Sequence, residues 1–215
     1  MAYCNQVHLE NRIGVANLAQ LTNDTSGTSS PTAAIVTGLI QRADAMINAK
    51  AKSIYTIPLN KVLTGTISSS TTTLTGTGTV FTTELTIGDP LVNRATGEIR
   101  VIDSIASDTS ATTVSAFTTL SSATLYLIPQ IIHSISVDLA CYYAMQRRFS
   151  EMELPEDWRE IGRKILGTPQ MNGLLDQIAS LELSIGLDIL NAQSAIVAPT
   201  KLIDFTDADK PESWF

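Results

Sequence analysis

The chain has 215 residues, 44% of them apolar, enough for one generous domain or two small ones built around a hydrophobic core. Only 16% are charged, and the formal net charge is −7. That balance argues against a protein whose main task is gripping nucleic-acid phosphates with clustered Lys and Arg, but it does not forbid one that lets DNA slide past without sticking.

Cys4 and Cys141 lie far apart with no metal-type spacing and are expected as reduced thiols of a cytoplasmic protein. No basic leader followed by an apolar stretch opens the chain, and no apolar run approaches the ~18 residues of a membrane span. On this reading the protein is soluble and unexported.

In chain order, Asn5 can cap a short helix through Val7, Leu9 and Ile13, and Val15, Leu18 and Leu21 suggest a second. The turn-rich "TNDTSGTSSP" (22–31) ends the pair. Ser30 as N-cap with Pro31 at the first helical position then starts an amphipathic helix over about 31–53. These helices have the outline of a helix-turn-helix, but no basic residue opens the second member, so DNA readout is not expected. Pro58 biases Ile57 to an extended conformation and closes the helical stretch.

The middle differs in kind. Between Thr64 and Ile128 there are 18 Thr, 9 Ser and no Lys, yet "EIRVIDSI" (98–105) and "TLYLI" (124–128) alternate as strands do. With "TGTIS", "TTLTG", "PLVN" and "TTVSA" they make six short strand candidates separated by turns, which predicts a compact β-barrel or sandwich rather than a linker.

Helical spacing returns after Pro129, from Ile132 to Met145, bounded by "RRF" (147–149). Pro155 opens "EDWREIGRKIL", where Glu156–Arg159 and Glu160–Lys164 can pair across a turn. After Gly167, the pattern continues from Met171 through Leu174, Leu175, Ile178 and Leu181 to Ile185. From about Ala198 to Phe215 periodicity is lost and the chain turns acidic, so an extended arm is expected.

Candidate chemistry is sparse. Gly76-Thr77-Gly78 lacks the Lys-Ser/Thr pair and the following helix of a phosphate loop, and Val80-Phe81 leads toward another strand. His8 and His133 sit on separate predicted helices without ligand-type neighbours, so no metal or acid–base role is expected of them. Glu84, Asp89, Glu98, Asp103 and Asp108 form a carboxylate scatter that reads as solvated turn residues. No catalytic constellation, cofactor site or metal site is found, and no enzymatic activity is expected. The interaction residues singled out are Asp204, Phe205, Trp214 and Phe215, because an acidic segment with aromatic anchors can seat in a neighbour's pocket.

The stretches outside the middle carry a resemblance. "MAYCNQVHLENRIG", "LAQLTND", "RADAMINAKAKSIYTIPL" and "IPQIIHSISVDLACYYAMQRRF", in that order, resemble the phage head–tail connector (adaptor) proteins. "SIYTIPL" (53–59) is similar to that family's hinge, with Ser53-Ile54 in place of its Arg. "SVDLACYYAM" (136–145) is similar to its later helix, with Asp138, Leu139, Ala140 and Tyr142 in register. The middle resembles small Thr-rich β-modules of phage virion proteins, through "GTGTVF", "GD" and "IDSIASDT".

The resemblance implies an α+β chain. A helical bundle body of about five helices (1–60 and 129–197) would be interrupted by an all-β insertion domain (61–128) and followed by an extended arm (198–215). It implies a virion protein of the neck, assembled in the host cytoplasm as a homo-oligomeric ring of about twelve copies closed head-to-tail. The implied partners are the portal protein and a stopper, tail terminator or other neck or tail protein; DNA would pass the lumen without specific binding, and no membrane is involved. The alternative is a tail terminator or neck decoration protein whose β-insertion binds a host or tail partner. A glycan-binding module is disfavoured, since the middle offers only Phe81, Phe117 and Tyr126 as aromatic platforms.

Overall fold

The computed structural model describes residues 2–23, 30–150 and 153–187. The expected arm at 198–215, with Asp204, Phe205, Trp214 and Phe215, lies outside the described residues. Among these residues the protein is α+β, with seven helices and one eight-stranded antiparallel sheet.

Helix α1 (Gln6–Ile13) begins where the sequence places it. The Asn5 side chain accepts the His8 N–H, and the Asn5 N–H donates to His8 Nδ1, a reciprocal cap that satisfies two otherwise orphaned donors. Helix α2 (Val15–Thr22) follows across Gly14. Helix α3 (Ala33–Ala51) starts later than the Ser30 cap predicts. Thr32 Oγ1 donates to Asn23 Oδ1 at 2.6 Å, Asn23 Nδ2 donates to the Ser30 carbonyl at 2.9 Å, and Thr32 is the N-cap. These bonds to the end of α2 hold Pro31 outside the helix.

Eight strands follow: β1 (Lys61–Val62), β2 (Thr66–Ser69), β3 (Thr73–Thr77), β4 (Pro90–Asn93), β5 (Glu98–Ser107), β6 (Ser110–Thr113), β7 (Leu120–Ala123) and β8 (Tyr126–Leu127). Their order is β1-β8-β4-β5-β6-β3-β2-β7, open at β1 and β7, in place of the expected six-stranded barrel or sandwich. The ten-residue β5 pairs with β4 through its first half and with β6 through its second. A Leu63 N–H to Leu125 carbonyl bond of 3.1 Å links the β1–β8 ladder to the β2–β7 ladder. The extra strands β1 and β7 are too short, or too polar, to alternate visibly in sequence.

The expectation that Val80-Phe81 enters a strand is corrected: α4 (Phe81–Glu84) is a single helical turn. Phe81 is fully buried, its N–H donates to the Asp108 carbonyl, and the Asp108 carboxylate accepts both the N–H and the hydroxyl of Thr82. A buried aromatic and a capping carboxylate therefore outweigh the β-propensity of the threonines.

Helices α5 (Gln130–Arg148) and α6 (Glu156–Leu166) start directly after Pro129 and Pro155, as read from the sequence. The Glu156–Arg159 ion pair forms. Helix α7 (Leu174–Ala179) is shorter than the periodicity to Ile185 suggests: Leu181 adopts φ 63, which breaks the helix, and the chain folds back so that Ile185 is buried. Helix α5 packs on α3, α1, α2 and α6, and α7 packs on α3 and α6.

Two apolar clusters result. The larger collects the helices together with Val92, Ile99 and Ile128, and the smaller is enclosed by the sheet around Leu63, Ile67, Leu74, Phe81, Leu91 and Ile102. Successive residues of a strand point to opposite faces, so β4 sends Leu91 into one core and Val92 into the other. All four β4 residues are buried for this reason.

Candidate functional site

A buried polar arrangement anchors the N-terminal segment. Asp44 lies on the buried stripe of α3 with Ile40 and Ile47, and only 5% of it is exposed. Its Oδ2 accepts the Tyr3 N–H at 3.2 Å and its Oδ1 accepts the Ser136 hydroxyl of α5 at 2.7 Å. Ser136 Oγ also lies 3.3 Å from Cys4 Sγ. One carboxylate thus ties the N-terminal segment, α3 and α5 together.

Burial pushes the Asp44 carboxyl up to about 6, against the lowering effect of its two hydrogen bonds. Burial likewise pushes the Cys4 and Cys141 thiols up to about 12, so neither is a ready nucleophile. Both are fully buried free cysteines.

Tyr3 extends the anchor to the hinge. Its hydroxyl donates to Asn48 Oδ1 at 2.5 Å and accepts the Leu59 N–H at 2.9 Å, and burial pushes the phenol up to about 12. Beyond the hinge, Arg94 Nη2 donates to Asn60 Oδ1 at 2.6 Å, and its guanidinium lies 3.8 Å from the centroid of the Tyr126 ring. The β4–β5 connection is thereby fixed to the start and end of the sheet region.

The structure brings His8 and His133 together, which their sequence separation hides. Their rings meet edge-on with centroids 4.4 Å apart, and His133 Nε2 is buried without a hydrogen-bond partner. Burial lowers both, His133 to about 4, so the pair is uncharged at neutral pH. Among the described residues no group of three or more His, Cys, Asp or Glu side chains could hold a metal ion.

The carboxylate scatter of the sheet region is distributed over separate turns. Glu84 accepts the Thr64 N–H and hydroxyl, Asp89 those of Thr86, and Glu98 those of Thr118. These are turn-fixing contacts of the kind acidic residues make at strand ends. Gly76 lies inside β3, where an added Cβ would sit 1.9 Å from Thr79 Oγ1. That glycine serves a close approach of chain segments.

Sequence reasoning missed the anchor residues Tyr3, Asp44, Asn48, Ser136 and Arg94. One signal was available for Asp44: it is a carboxylate at i+4 from Ile40, on an otherwise apolar face. Nothing in spacing alone pairs it with Ser136, 92 positions away.

Two open grooves flank this arrangement. One, of about 450 Å³, lies between the N-terminal segment and α3 and reaches Asp44, Asn48 and Gly97. The other, of about 550 Å³, lies between α1 and β5, with Val7 and Val114 on its walls. No helix among the described residues is long and apolar enough to cross a membrane.

No curated protein and no solved structure matches the chain. Residues 3–76, from the N-terminal anchor through the hinge into β3, match the family model described as Bacteriophage Mu, Gp36, and this similarity supports a phage structural, virion-associated protein.

Proposed function

We propose that the protein is a head–tail adaptor, a structural component of the phage neck that assembles as a homo-oligomeric ring beneath the portal and joins capsid to tail. The observation that carries this reading is the similarity of residues 3–76 to the Bacteriophage Mu, Gp36 family, over the stretch that holds the N-terminal anchor and hinge. The motif order of the remaining helical stretches is in keeping with it.

The physical character of the chain agrees with such a role. Its net charge of −7 disfavours adhesion of DNA to a lumen wall. The hydrogen bonds of the N-terminal anchor lock the N-terminal segment, α3 and α5 to one another. In this reading the helices with their apolar cluster form the ring wall, and residues 61–128 are an insertion whose own cluster projects a Thr-rich β surface toward neck or tail partners. The segment 198–215 is the arm that reaches a neighbour. The protein has no enzymatic role in this account.

The test is co-assembly. Purified chain mixed with the portal protein of its own phage should co-elute as one complex, with a mass that fits a closed ring of adaptor copies on the portal. A chain that stays monomeric and never binds portal or tail-completion proteins overturns the proposal.

A further inference from the structure

The groove between the N-terminal segment and α3 has Asp44 in its wall, with Ala2, Cys4, Gln41, Ala45 and Asn48 around it. The carboxylate is buried, and both of its hydrogen-bond donors, the Tyr3 N–H and the Ser136 hydroxyl, are neutral. Among the described residues no lysine or arginine lines this groove or bonds to Asp44. A carboxylate can accept at about four positions, so Asp44 keeps acceptor capacity. Once ionised, a buried carboxylate calls for a cation. Burial pushes this carboxyl up to about 6; the two hydrogen bonds and the positive charge of the chain's amino terminus pull the other way.

The residue next to the bonded Tyr3 N–H is Ala2, half-buried in the same groove. Tyr3 N lies 3.2 Å from Asp44 Oδ2. Consecutive residues advance by at most about 3.8 Å, so the Ala2 nitrogen is one short step from the carboxylate. While Met1 is attached, that nitrogen is an uncharged amide. Ala2 has a small side chain, which leaves the Met1–Ala2 bond open to a methionyl aminopeptidase of the host. Hydrolysis adds water across the bond: the hydroxyl goes to the Met1 carbonyl carbon, a hydrogen goes to the Ala2 nitrogen, and free methionine leaves. The new amine, with an ordinary pKa of about 8, takes up a proton from solvent.

We infer that the cationic partner of Asp44 is the α-ammonium of Ala2, made by removal of Met1, and that this ion pair closes the N-terminal segment onto α3. Trimming then completes the anchor that Tyr3 extends to the hinge through Asn48 and Leu59. The carboxyl value of about 6 is that of the chain that keeps Met1, and pairing lowers it.

The terminus is read first. The amino-terminal peptide of the chain recovered from infected cells should begin at Ala2. A peptide that keeps Met1, or that begins upstream of it, overturns the proposal. Next, the untagged full chain is treated at pH 7 with acetic anhydride, and acetylation of the α-amine is followed by mass spectrometry. A paired ammonium holds its proton, so the Ala2 amine should react about tenfold more slowly in the folded chain than in urea, the equivalent of one pKa unit. Ala2→Gly, which keeps both the trimming and the amine, should stay slow. Asp44→Asn should react at the urea rate. Ala2→Gln, whose larger side chain blocks the aminopeptidase, leaves Asp44 untouched and serves as the second arm; its Met1 amine should also react at the urea rate while the chain still melts cooperatively. Equal rates for the parent chain folded and in urea overturn the ion pair. So does slow reaction that persists in a cooperatively melting Asp44→Asn or Ala2→Gln chain.

Discussion

Asp44 of α3 accepts the Ser136 hydroxyl of α5 at 2.7 Å, so the two longest helices among the described residues meet through a buried carboxylate. The same carboxylate receives the Tyr3 N–H, which makes it the common point of the N-terminal segment and the helical core. Ser136→Ala removes one donor and leaves a buried acceptor short of a partner. The expected loss is about 1–3 kcal/mol of stability, read by urea denaturation.

Stability should also depend on pH through this residue. The folded-state value of about 6 lies above the ordinary carboxylate value of 3.8, so the folded protein binds this proton more tightly than the unfolded chain. The resulting stabilisation is fully present below pH 3.8 and is lost as pH rises through about 6. Asp44→Asn should remove that fall, so the gap between the two proteins narrows or reverses as pH rises from 4 to 7 in denaturation series.

His133 acts in the opposite sense over the same window. Burial and the neighbouring His8 lower it to about 4, so the folded protein resists protonation that the unfolded chain accepts near 6.5. Stability is lost as pH falls from 6.5 toward 4. His133→Phe should flatten this acid limb in thermal melts, while Asp44→Asn should steepen the net acid sensitivity by leaving it unopposed.

Gly162 of α6 lies flat against Tyr142, where an added Cβ would sit 2.6 Å from the ring. Replacing a mid-helix glycine by alanine ordinarily stabilises by about 1 kcal/mol through backbone entropy. Here Gly162→Ala should destabilise instead, because the α5–α6 packing must open. Restored stability in Gly162→Ala combined with Tyr142→Leu would confirm that the ring is the obstacle.

Leu91 and Ile99 test how the sheet is joined to the helices. Leu91→Ala empties the sheet cluster and Ile99→Ala the helical one, and each should cost about 2–5 kcal/mol. Because β4 and β5 line both clusters, the two variants should each shift a single unfolding transition. Two separated transitions in calorimetry would mean that sheet and helices melt independently.

Much of the fold is legible in the sequence where the signal is local. Asn5 caps α1, Pro129 and Pro155 mark helix starts, and "PLVN" coincides with β4. Failures arise where tertiary contacts decide. Thr32 displaces Ser30 as cap because Asn23 reaches it, and Phe81 turns into a helix because Asp108 holds the turn. The anchor is the least legible feature, since a lone carboxylate on an apolar stripe shows that something must pair with it but not that Ser136 and Tyr3 do. The expectation of interaction at Asp204, Phe205, Trp214 and Phe215 rests on composition alone, and these residues lie outside the described ones.

The central claim is tested most directly by imaging intact particles of the phage that encodes this chain and reconstructing the neck. The account predicts a ring of copies between portal and tail, with the α3–α5 pair in its wall and residues 61–128 outside it. A neck reconstruction in which every density is assigned to other proteins, or which places this chain elsewhere in the particle, would contradict it.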